Sequence, residues 1–234
     1  MITALLFTLA VAATPAPDAH PKLMAVAKTL LPVAGAPPIE IRPSAIPDMF
    51  EVSQGTQVFY LSADGNHVLA GPLFEVATRK DLTAQRQAQA RISLLQTTQL
   101  STPLVYPSSQ SDALRVTVVT NIDCTFCRRL HAQLDEYTAS GIELNYVILP
   151  SGGGNGFERS AALMCESDPT HAFSEALLGN EPPGAKADCE HNLNQHIALA
   201  TQLGAASTPN LILPTGELIQ GYQTPEQLRA RLNP

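Results

Sequence analysis

The chain has no tryptophan, only 5% aromatic residues and only four cysteines among 234 residues. The shortage of aromatics excludes little, because Leu, Val, Ile and Ala fill a core equally well. Runs of Lys or Arg are also missing, and 14 basic residues stand against 21 acidic ones for a formal net charge of -7. Such a surface repels a phosphate backbone, which excludes nucleic acid as a partner. Beyond the N-terminus no stretch is long and apolar enough to anchor the chain in a bilayer.

What is present is apolar substance: 44% of the residues are hydrophobic, enough to bury the core of one or two domains. Ile2 to Ala12 is an apolar run too short to span a membrane, and Ala10-Val11-Ala12 offers small residues for cleavage before Ala13. Residues 1–12 therefore read as a signal peptide, although no Lys or Arg precedes the run. An exported chain works where disulfides persist.

Punctuation along the chain divides the remainder. From Ile39 to Val76 short β-prone runs alternate with turns, and Gln57–Leu61 and His67–Ala70 flank Asp64-Gly65, a hairpin signal. This predicts a small antiparallel sheet in an N-terminal domain over 20–80. Such a sheet is marginal alone and calls for a partner surface, so oligomerisation through it is expected. Asp81 is placed to N-cap a polar, weakly amphipathic helix running to about Gln99, with Leu82, Ala88, Ile92 and Leu95 near helical spacing. Over 81–100 it reads as a connecting rod. The Ser/Pro-rich stretch Ser101 to Asp112 then leads into a catalytic domain over 101–234.

That domain opens with the β-branched run Leu114 to Thr120, followed directly by Cys124-Thr125-Phe126-Cys127 and a helical pattern with Leu130, Leu134 and Tyr137 on one face, ended by Gly141. Ile142 to Leu149 is again strand-like, completing a βαβ unit with CxxC at its helix N-terminus. Free backbone N–H groups and the positive end of the helix dipole favour an anion there. Cys124 is thus expected to ionise readily and attack, and Cys127, deeper in the helix, to resolve. A zinc half-site is the competing reading of CxxC, but it wants a second closely spaced pair, and Cys165 and Cys189 stand far apart. No metal or cofactor is implied. His131 reads as a packed or exposed helix residue near the site rather than a ligand or base.

Cys165 and Cys189 read as a structural disulfide closing a loop of about two dozen residues and contributing roughly 3–4 kcal/mol, a second reactive site being the alternative. Their flanks, Ala161–Met164 and Ile197–Leu203, read as helices within an insertion of about 157–204. Thr208-Pro209, the strand Asn210–Leu213, the turn Pro214-Thr215-Gly216 and a second strand through Gln220 follow. Thr224-Pro225-Glu226-Gln227 then starts a closing helix with a capping-box pattern.

Taken together, the Asp64-Gly65 hairpin with Gly71-Pro72, the polar helix, CTFC followed by Leu130-His131, the spaced Cys165/Cys189 pair, and Ser207-Thr208-Pro209 leading to Gly221-Tyr222-Gln223 resemble the DsbC/DsbG family of periplasmic disulfide isomerases, DsbC more than DsbG. The resemblance spans nearly all of the chain after the signal. It implies an α+β N-terminal dimerisation domain, a helical linker, and a C-terminal thioredoxin-like α/β domain with a helical insertion. It also implies a V-shaped homodimer, a cis peptide at Thr208-Pro209 beside the thiols, and reduction by a membrane thiol-transfer partner of the DsbD type.

Thr125, Phe126, Thr208 and Pro209 would border bound client proteins, with the Thr208-Pro209 edge pairing to an extended client backbone. Two positions depart from the family pattern: Thr125-Phe126 stands where DsbC carries Gly-Tyr, and Ser151–Gly156 is glycine-rich where basic and polar residues are usual. The activity implied is isomerisation or reduction of non-native disulfides. A thiol reductase protecting single cysteines, a dithiol oxidant and a holdase chaperone are the alternatives.

Overall fold

The computed structural model describes residues 20–31, 37–151, 154–180 and 189–232. The export signal read at 1–12 lies outside them. The chain divides into two compact units, Met1–Gln54 with Phe59–Ala70, and Gly55–Val58 with Gly71–Pro234. Among the described residues no helix is long and apolar enough to cross a membrane.

In the first unit helix α1 (Pro21–Leu30) precedes strands β1 (Glu40–Pro43), β2 (Met49–Gln54), β3 (Gln57–Ser62) and β4 (Val68–Leu69), which lie in that order in one sheet. The helix was not anticipated, though Pro21 at its first turn and the four-residue step from Leu23 to Ala27 signal it. Leu23, Ala27 and Leu31 bury against Val52, Phe59 and Leu61 of the sheet. The expected hairpin joins β3 to β4, pairing Tyr60 with Leu69 and Leu61 with Val68. Its turn holds together locally: Asp64 Oδ1 accepts from the Asn66 N–H at 3.0 Å, and Gly65 takes φ +70°, open to glycine without a Cβ penalty.

The second unit begins with a short ribbon, β5 (Phe74–Glu75) against β6 (Lys80–Asp81), and helix α2 (Leu82–Thr97), N-capped by Asp81 through the Ala84 N–H at 2.8 Å. A five-stranded sheet follows, ordered β11-β10-β8-β9-β7. Its strands are β7 (Leu104–Tyr106), β8 (Leu114–Thr120), β9 (Ile142–Ile148), β10 (Asn210–Ile212) and β11 (Leu218–Gln220). Helices α3 (Thr125–His131) and α4 (Leu134–Ala139) connect β8 to β9, α5 (Gly156–Leu163), α6 (Pro169–Leu177) and α7 (Glu190–Gln202) form the insertion, and α8 (Pro225–Leu232) closes the chain.

Strand β8 is central, parallel to β9 and antiparallel to β10, which is why, after the exposed Arg115, Val116–Thr120 is an unbroken β-branched and buried run. Its residues alternate between two cores. Val116 and Val118 pack with Leu130, Tyr137 and Leu228, whereas Val119 packs with Leu94, Leu199 and Leu203. Cys165, just after α5, is joined to Cys189, the N-cap of α7, with Cα atoms 5.4 Å apart. The bond ties the end of α5 to the start of α7. The α8 capping box is reciprocal: the Gln227 N–H donates to Thr224 Oγ1 at 3.2 Å, and the Thr224 N–H to Gln227 Oε1 at 2.9 Å.

Three expectations need correction. The Ser/Pro-rich stretch 101–112 contains β7, which gains order only by pairing antiparallel to β9. The single helix expected up to Gly141 is two, because the Gln133 N–H bonds back to Leu130 O at 3.1 Å and Gln133 O accepts from Glu136 and Tyr137, restarting the helix. The Gln133 side chain is thereby free to accept from the Tyr222 hydroxyl.

Finally, α2 is not a free-standing rod. Arg91, only 8% exposed, donates through Nε to Leu203 O at 2.9 Å and through Nη1 to Gly216 O at 3.1 Å. A Cβ on Gly216 would lie 2.1 Å from Ala88 O, so helix and turn touch backbone to backbone. Replacing Arg91 with Met keeps the aliphatic stem but orphans two buried carbonyls. Urea denaturation of Arg91→Met should show a loss of about 2–4 kcal/mol, and an unchanged midpoint would mean the contact is incidental.

Candidate active site

The C-terminal end of β8 delivers the chain into a tight turn, Asn121–Asp123, before α3 begins. Asn121 builds the turn: its Oδ1 accepts from the Asp123 N–H at 2.9 Å, its Nδ2 donates to Ser151 Oγ at 2.8 Å, and its carbonyl accepts from the Cys124 N–H at 3.2 Å. Cys124 is the N-cap of α3, and its Sγ accepts from the Cys127 N–H at 3.3 Å. A sulfur at this position takes up a backbone donor that the first helical turn leaves without an intrahelical partner.

The two thiols differ sharply in access. Cys124 is partly exposed and Cys127 only 1% exposed. Burial pushes the Cys127 thiol well above its ordinary range, with its bond to Cys124 adding to the shift and the Thr120 hydroxyl and Asn121 backbone opposing it. Phe126 stands 56% exposed between them. Across from Cys124 the Thr208-Pro209 peptide is cis, and the Cys124 thiol donates to Thr208 O at 3.4 Å. Asn210 Nδ2 holds that loop through Ser207 O at 2.8 Å, and Pro209 O accepts from the Gly221 N–H at 2.8 Å. Thus Cys124, Cys127, Thr208 and Pro209, distant in sequence, come together, while Cys165 and Cys189 are bound to each other.

The surrounding cations are engaged. Arg128 Nε donates to Ile122 O at 2.8 Å, and the Arg129 guanidinium lies 4.7 Å from the centre of the Tyr222 ring. Arg159 Nη1 donates to Asp123 Oδ1 at 2.7 Å. Asp123 and Arg159 did not emerge from the sequence. Asp123 was visible beside Cys124, but nothing in the spacing announces that residue 159 folds back onto it.

His131 points into the core, with Nδ1 3.1 Å from the Tyr146 hydroxyl and its ring edge-on to Tyr106. Burial pulls its pKa from 6.5 down to about 4, so the fold holds it neutral. The unfolded chain takes up that proton first as the pH falls. Stability present above pH 6.5 should be lost progressively towards pH 4, by up to roughly 3 kcal/mol from this residue. His196, also buried with a lowered pKa, adds in the same direction. Denaturation midpoints followed from pH 7 to pH 4 should fall steeply, and less steeply in His131→Gln; equal slopes would show that His131 is not the buried proton acceptor.

Comparison with known proteins assigns both units to a family. Residues 11–84 match the disulfide bond isomerase protein N-terminal domain, and residues 108–234 match a thioredoxin-like domain. The chain is 30% identical over 196 residues to the thiol:disulfide interchange protein DsbC of Escherichia coli K12, covering 83% of this chain and 80% of that one. It is 29% identical over 212 residues to the protein of the same name from Dickeya dadantii, covering 89% and 86%. Among solved structures, a linker-deletion variant of Proteus mirabilis ScsC superposes with a TM-score of 0.50 at 17% identity, covering 64% of this chain and 81% of that one. The Wolbachia pipientis thiol-disulfide exchange protein alpha-DsbA2 gives 0.50 at 14% identity, covering 66% and 98%, a likeness of fold alone. The chain therefore belongs to the DsbC family of thiol:disulfide interchange proteins.

Proposed function

We propose that Cys124 is the attacking thiolate and Cys127 the resolving thiol of an enzyme that isomerises or reduces non-native disulfides in exported proteins. The carrying observation is the asymmetry of the pair: one sulfur lies open at a helix N-terminus beside a backbone donor, and the other is buried three residues later. The Cys124 thiolate attacks one sulfur of a client disulfide, forming a mixed disulfide and expelling the other client sulfur as a thiolate. A second client thiolate then attacks the client sulfur of that bond, releasing Cys124 with no net change in oxidation state. Alternatively, Cys127 attacks Cys124, freeing the client with two electrons gained and leaving a Cys124–Cys127 disulfide.

Several features support the wider reading. Thr208 O faces the reacting sulfur, so the loop edge is placed to pair with an extended client backbone, while exposed Phe126 offers apolar contact without sequence preference. Reduction by a membrane partner of the DsbD type would return the enzyme to its active dithiol. The family and the expected export signal favour the periplasm. A homodimer through the first unit accounts for β4, an end strand that exposes Val68 and Leu69.

Two measurements test this. Cys127→Ala should accumulate mixed disulfides through Cys124, because the first attack survives and the resolving thiol is gone; adducts at any other position would refute the assignment. Reduced full-length protein should rescue a scrambled multi-disulfide substrate without added oxidant and sediment as a dimer. A monomer unable to rescue that substrate yet reducing simple disulfides would make it a reductase instead.

A further inference from the structure

The thiol chemistry leaves one feature beside Cys124 without a part to play: the Asp123–Arg159 ion pair. Its side chains are 33% and 26% exposed, and Asp123 directly precedes Cys124 in the chain. The pair is built in from three directions. Asn121 holds the Asp123 backbone and, through Ser151, the start of the glycine-rich loop. Arg159 reaches over from α5. Gly156, the first residue of α5, makes room for the carboxylate, since a Cβ there would lie 3.1 Å from Asp123 Oδ2. The departure of this loop from the family pattern thus has a physical consequence next to the thiols.

Asp123 is the residue immediately before Cys124, so its carboxylate adds a negative charge to the neighbourhood of the sulfur. Left unpaired, it would repel both a negative charge on that sulfur and any anionic group flanking a client disulfide. Arg159 cancels it. We propose that Arg159 sets the charge selectivity of exchange: by neutralising Asp123 it admits client cysteines flanked by acidic residues. Arg159 is a specificity-determining residue and takes no part in bond making. This rests on Cys124 being the attacking thiol.

The test compares second-order rates of the reduced full-length protein with a cationic disulfide, cystamine, and an anionic one, a bis-nitrobenzoate. The ratio of the two rates on one protein cancels differences in folded fraction or intrinsic thiol reactivity. In Arg159→Met the cationic-to-anionic ratio should rise about tenfold at low salt, from about threefold on each reagent for a unit charge in water-like surroundings. The rise should shrink towards the wild-type value in 1 M salt, where about 3 Å of screening length remains. Asp123→Asn alone should lower the ratio, and adding it to Arg159→Met should return the ratio close to that of the wild type. An unchanged ratio in both single variants, a change that persists in 1 M salt, or a double variant that fails to return would each overturn the proposal. Mapping the adduct in Cys127→Ala, where the mixed disulfide cannot be resolved, separates the two readings: labelling away from Cys124 refutes the active-site assignment, whereas an unchanged ratio with Cys124 labelled refutes only the charge pair.

Discussion

The arrangement depends on one contact, the Cys127 N–H donating to Cys124 Sγ at the first turn of α3. For that bond to form, β8 must end where α3 begins, and the intervening turn must present the sulfur at the N-cap. Pairing of β8 with β9 on one side and β10 on the other fixes the strand's end. Asn121 fixes the turn by using its side-chain amide as both donor and acceptor. Once α3 starts there, residue 127 falls one turn further in, on the face that packs against the core, and its thiol is buried. The asymmetry between the two cysteines is a consequence of helical geometry.

Around that contact the second unit buries few charges and places each against a partner. Arg91 is inside but spends its donors on carbonyls of the turns that follow α7 and β10. The buried histidines keep one face to a hydroxyl or the backbone: His131 meets Tyr146, and His196 bridges the Ile148 N–H and Thr102 O. Neutral imidazoles suit these positions because a proton would have to be carried without water, which is the cause of their lowered pKa values. Helix α2 consequently belongs to the catalytic unit, although its polar composition resembles that of a solvent-exposed connector.

How far the sequence reaches is clearest at particular residues. The CTFC motif after a β-branched run, the Asp81 cap, the Thr224–Gln227 box and the Asp64-Gly65 turn are all local signals, and each is legible because its physics acts within a few residues. Strand β8 is legible because burial on both faces favours the β-branched run Val116–Thr120. Those signals, with the family resemblance they support, were enough for the fold class and for singling out Cys124 and Cys127 as the candidate thiols. Contacts between distant segments were legible only where two spaced cysteines offered each other as partners, as Cys165 and Cys189 do, or where the resemblance placed Thr208-Pro209 beside the thiols. Strand β7 has only three residues and little pattern of its own, and β9 makes it a strand. The break between α3 and α4 has no proline or glycine to announce it and is accompanied by a bond from Tyr222, 89 residues beyond Gln133. The docking of α2 through Arg91 and the neutralisation of Asp123 by Arg159 were decided only by tertiary structure, because a charge or a carbonyl finds a partner by distance in space, and sequence spacing does not encode that distance.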